Sequence, residues 1–163
     1  MKKIVWLLMV ALLLSGCAAV QTFENVEDVY SPVDSPRPAE TSYLIPKDAD
    51  AEVLTGDSGK LYLCDGYDII VETLAAGDLQ KTLKATTGYA EDKLTMMETG
   101  TAQLHRYECA WSAAGEAGDQ VGRTVILDDG NYHYCITLTA DAQEAGSLQA
   151  TWQEILNSFC LQS

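Results

Sequence analysis

Basic residues are scarce in this chain. Its 163 residues include 10 Lys and Arg against 24 Asp and Glu, a formal charge of −14 at pH 7. A field of that sign repels phosphate backbones and anionic headgroups, so nucleic acid is excluded as a partner and no polybasic patch is expected to grip a membrane. Histidines number two, His105 and His133. None of the five cysteines forms a Cys-x-x-Cys pair, which removes a zinc ribbon and a thioredoxin-type dithiol. Gly-x-Ser-x-Gly, Ser-x-x-Lys and His-Glu-x-x-His are missing as well. Gly115, Gly118 and Gly122 lack the Gly-Lys-Ser/Thr of a phosphate-binding loop. Long apolar runs are absent but for Ile4 to Leu14, too short to span a bilayer as a mature helix.

That run is nevertheless the most telling stretch of the chain. Lys2 and Lys3 precede it, small Ser15 and Gly16 follow it, and Cys17 closes it, an order that predicts a secretory signal over residues 1–16. Leu14-Ser15-Gly16-Cys17 resembles the lipobox of bacterial lipoproteins. The resemblance implies a diacylglyceryl group on the Cys17 sulfur and cleavage just before it. The expected location is therefore the extracytoplasmic face of a cell membrane, with the bilayer held through that lipid. An envelope protein or a small ligand is the further partner expected; no cofactor is implied.

Behind Cys17 the chain turns acidic. All four prolines fall between residues 32 and 46, and large apolar residues up to Gly59 are few and aperiodic. Such a stretch cannot bury enough surface to offset its ordering entropy, so residues 17–59 are expected to be a disordered tether and 60–163 a single domain.

From Leu61 the pattern changes. Leu61 to Cys64 and Tyr67 to Leu74 read as strands around Asp65-Gly66, a dipeptide suited to a type I′ turn. Asp78 is a fitting N-cap for a helix carrying Leu79 and Leu83 and closed by Gly88. Leu94 to Thr99 reads as a strand, and Tyr107, Cys109 and Trp111 alternate with polar neighbours along another. A second hairpin runs from Arg123 to Thr139 across Asp128-Asp129-Gly130-Asn131, with Tyr132, Tyr134, Ile136 and Leu138 on one face. Leu148, Trp152, Ile155, Leu156 and Phe159 recur at helical spacing. The predicted fold is α+β, an antiparallel sheet flanked by helices.

Arg106-Tyr107-Glu108, the glycine-rich turn, Asp129-Gly130-Asn131-Tyr132 and the closing Trp152, Ile155 and Ser158-Phe159 resemble the PsbP-like family over about residues 61–161. That resemblance implies a central antiparallel sheet with helices on its faces, and no catalytic signature.

Few residues carry candidate chemistry. His133 and Cys135 share a strand face, the only arrangement from which a thiol enzyme could be built. The reading preferred for them is a solvent-side polar face, on which His133→Ala costs under ~1 kcal/mol. With Cys17 lipidated, Cys64, Cys109, Cys135 and Cys160 are an even set that permits two disulfides. Asp128, Asp129 and Asn131 offer oxygens to a divalent ion, although the same residues suit a plain turn. Trp111 and Trp152 are placed in the core. A non-enzymatic binding or scaffolding domain is the expected function, with a small envelope enzyme or a cation-responsive module as the alternatives.

Overall fold

The computed structural model describes residues 36–47, 49–50, 53–56, 59–115 and 118–162. The signal sequence and Cys17 lie outside these described residues. The elements are β1 (Thr41–Ser42), β2 (Val53–Gly56), β3 (Gly59–Cys64), β4 (Tyr67–Ala75), α1 (Leu79–Thr87), a 3₁₀ turn (Glu91–Lys93), β5 (Thr95–Thr101), β6 (Leu104–Ala113), β7 (Gln120–Asp128), β8 (Tyr132–Asp141), α2 (Ala145–Ser158) and β9 (Cys160–Leu161). Seven strands form one antiparallel sheet in the order β2-β3-β4-β8-β7-β6-β5, and β1 pairs with β9 apart from it.

Local chemistry accounts for the joints. The Asp78 side chain accepts from the Gln80 N–H at 3.0 Å, and Gly88 ends α1 in the left-handed region, its N–H reaching the Lys84 carbonyl. The β3–β4 turn departs from the type I′ form, which needs positive φ at both corners. Only Gly66 has it, at 81°, so the turn has one left-handed residue.

Alternation along β8 divides the core in two. Tyr134, Ile136 and Leu138 point to the face covered by α2, where Trp152, Ile155, Leu156 and Phe159 are buried with Ile69 and Val125. His133 and Cys135 point to the other face, where Leu83 of α1 packs with Cys109 and Ile126. That second face is therefore no solvent side. His133 is 1% exposed, which overturns the surface placement the sequence favoured. A period of two separates the faces of a strand but does not say that both are covered.

The family pattern acquires physical meaning at the C-terminus. Arg106 donates to the Leu156 carbonyl at 2.9 Å and to the Phe159 carbonyl at 3.4 Å, placing a cation at the end of α2 where the helix dipole favours it. Ser158 donates to the Ile155 carbonyl at 2.6 Å and accepts from the Leu44 N–H at 2.8 Å, while the Phe159 ring packs near Tyr43.

Those contacts also correct the domain boundary. One compact unit begins at Pro36, not at residue 60. The Pro36 carbonyl accepts from the Tyr132 hydroxyl at 2.9 Å, the Ala39 N–H donates to the Tyr134 hydroxyl at 2.8 Å, and Gln162 N–H donates to the Glu40 carbonyl at 2.8 Å. Thr41 and Ser42 pair with Leu161 and Cys160. Residues 36–44 of the expected tether are thus a strap bound to β8, β9 and the end of α2.

One carboxylate supports the strap. Asp129 accepts from the Asn131 and Tyr132 N–H groups and from the Tyr134 hydroxyl, which in turn accepts from Ala39. Burial by itself would raise its pKa, but these hydrogen bonds outweigh burial and hold the carboxyl below its usual value. Such a group stabilises the fold above the ordinary carboxylate range and loses that contribution as pH falls through its folded value. Asp129→Asn is therefore expected to lower the urea midpoint at neutral pH. The gap to wild type should close on acidification below about pH 4. A gap independent of pH would disprove the linkage.

Candidate binding groove

A groove of about 470 Å³ opens where β6 outruns its neighbour. Pairing of β5 with β6 starts at Thr95 and Ala110, so Trp111 and Ser112 lie beyond the end of β5 at a bare corner of the sheet. Trp111 is half-buried, and its ring lies over Gly122, where any β-carbon would collide with it. Its Nε1 donates to the Thr124 hydroxyl at 3.2 Å, which is bonded on to Thr137. Tyr89, just past α1, sets its ring 6.4 Å away at 44° and donates its hydroxyl to the Ser112 carbonyl.

The lining also takes in Ala145, Gln149 and Trp152 of α2, which packs on the face of the sheet opposite to the Trp111 ring. Trp152 is 3% exposed, and its buried Nε1 has no hydrogen-bond partner. An unmet donor of this kind costs about 1–3 kcal/mol, a local cost of packing the indole in the core. Lys93 and Arg123 complete the lining, and no carboxylate belongs to it. Arg123 is shared with Glu108 and Gln153. Among the described residues Lys93 is paired with exposed Asp92 alone, at 3.5 Å, which contributes little.

Sequence reasoning placed Trp152 correctly in the core but missed Trp111 as a groove wall. Nothing in the sequence marks Tyr89 or Lys93. They meet Trp111 only because β5 is short, a matter of register between distant segments.

The candidates the sequence did single out gather elsewhere, without forming a site. His133 Nδ1 shares a hydrogen bond of 2.7 Å with the Thr82 hydroxyl, and its Nε2 lies 3.5 Å from Asp128 Oδ2. Cys135 is bonded by neither ring nitrogen; its thiol contacts the His133 backbone carbonyl at 3.9 Å. Burial pushes the Cys135 thiol up to about 12 and that of Cys109 up to about 11. Neither is a thiolate at neutral pH, so the Cys/His pair of an envelope enzyme is not assembled.

Free thiols at Cys109, Cys135 and Cys160 leave no disulfide among the four cysteines considered. Cys109 and Cys135 are core side chains on strands separated by β7, and Cys160 is exposed. At pH 8 a small thiol reagent is expected to label Cys160 and to spare Cys109 and Cys135 until urea unfolds the domain, as peptide mass spectrometry would read. Labelling of native Cys135 as fast as Cys160 would contradict its burial.

Asp128, Asp129 and Asn131 form a turn bound to itself. Asp128 Oδ1 accepts from the Gly130 N–H at 2.8 Å, and Asp129 is fully engaged as described above. One oxygen of each aspartate is thus held by the loop's own backbone donors, and the second lies against His133 or Tyr134. Among the described residues no group of three or more His, Cys, Asp or Glu could hold a metal ion.

No protein-family model matches the chain, and no curated protein matches it in sequence. Solved structures do match in fold. The solution structure of the cyanobacterial PsbP, CyanoP, of Synechocystis sp. PCC 6803 aligns with a TM-score of 0.51 at 9% identity, over 75% of this chain and 86% of that one. The Saccharomyces cerevisiae Ran-binding protein Mog1p aligns at 0.50 and 11% identity, over 74% and 89%. A Bacteroides thetaiotaomicron VPI-5482 protein aligns at 0.52 and 14% identity over 76% of this chain, which spans 45% of that protein's length. The fold is therefore PsbP-like, an antiparallel sheet flanked by helices. No helix among the described residues is long and apolar enough to cross a membrane.

Proposed function

We propose that this chain is a lipid-anchored envelope protein whose PsbP-like domain binds a partner without transforming it. The groove carries the binding half of this reading. It is an open site with aromatic walls and an exposed lysine, whereas the thiol and imidazole candidates are sealed between α1 and the sheet. That one fold neighbour, Mog1p, is named for binding another protein agrees with it.

The anchor is tested by Cys17→Ser. No other residue at the lipobox can take the diacylglyceryl group, so the variant is expected to accumulate as unprocessed precursor. Any mature-sized form should enter the aqueous phase in detergent partitioning. Mature variant partitioning into detergent like wild type would overturn the anchor.

A further inference from the structure

We infer that the groove takes a small organic anion carried on a planar ring. Its volume suits a ligand of that size, and Tyr89 with Trp111 supplies aromatic walls against which a ring can stack. The charge of the lining runs against that of the molecule. In a chain with 24 acidic residues, Lys93 and Arg123 line the groove and no Asp or Glu does. Arg123 is spoken for by Glu108, so Lys93 is the cation available to a ligand. Ring faces and an exposed ammonium together fit a ring carboxylate better than a neutral or cationic ring. At physiological ionic strength the molecule's overall negative field is screened beyond about 8 Å, leaving the local cation to decide.

This inference rests on the groove being a binding site and is independent of the Cys17 anchor. The test uses the full chain in detergent micelles, labelled with 5-fluorotryptophan, and follows the fluorine resonances of Trp111 and Trp152. The probes are 4-hydroxybenzoate, 4-hydroxybenzamide and tyramine, matched in ring and differing in charge. The carboxylate should shift both resonances saturably and bind more tightly than the amide, with tyramine weakest. Lys93→Glu should weaken the carboxylate about fivefold and leave the amide unchanged, and Lys47→Glu, outside the groove, should do neither. Trp111→Ala should weaken both ring probes about tenfold. Amide or tyramine binding as tightly as the carboxylate would overturn the inference while leaving the groove a binding site. Failure of all three probes to shift either resonance would overturn the inference and remove the groove from the proposed function too.

Discussion

Trp152→Ala is expected to cost about 3–5 kcal/mol. The indole is 3% exposed and sits among the side chains that join α2 to the sheet, with the Tyr67 ring 6.5 Å away. Beyond Arg106 at its C-terminal carbonyls, α2 has few supports of its own. Its N-cap, Glu144, makes no side-chain capping bond, and neither the first turn carries an acid nor the last a base. A helix of 14 residues without these supports owes its stability to the face it buries, here Trp152, Ile155 and Leu156. Against a total of roughly 5–15 kcal/mol, the loss should lower the melting temperature by about 10 °C or more. The strap should loosen as well, because it is bonded to Ser158 at the end of the same helix. Trp152→Phe keeps a ring in the core while removing the donor and part of the indole volume, so its loss should fall well below that of Trp152→Ala. Equal melting temperatures for Trp152→Ala and wild type would show that α2 is not docked.

What was legible in the sequence was local. The caps of α1 at Asp78 and Gly88, the Cys64–Tyr67 reversal and the apolar stripe of α2 each depend on residues within a turn or two of one another. The strap was not legible, because Thr41 pairs with Leu161, 120 positions away, and a two-residue strand has no periodicity to read. Trp111 shows the same limit from the other side. Its alternation with polar neighbours was visible, but its partial exposure comes from where β5 stops, and no residue near Trp111 encodes that. The groove thus gathers residues from α1's exit, the 3₁₀ turn, three strands and α2 that share no pattern.

His133 is the sharpest case, because its environment reverses the cost expected from sequence. Replacing it with alanine should destabilise the domain by about 2–4 kcal/mol, where a surface placement predicts under ~1 kcal/mol. The ring is 1% exposed, and its loss leaves a cavity between α1 and the sheet. It also strips Thr82, itself buried, of the partner 2.7 Å from its hydroxyl, and leaves Asp128 without the nitrogen 3.5 Å away. Thr82→Val removes the other half of the bond while nearly conserving volume. The pair should therefore be non-additive, with the double variant about 1 kcal/mol or more less damaged than the sum of the singles. Urea unfolding of the four proteins measures this coupling directly. Additive losses would mean that the Thr82–His133 bond contributes nothing beyond packing. A His133→Ala variant within about 0.5 kcal/mol of wild type would mean that α1 does not cover this face of β8 at all.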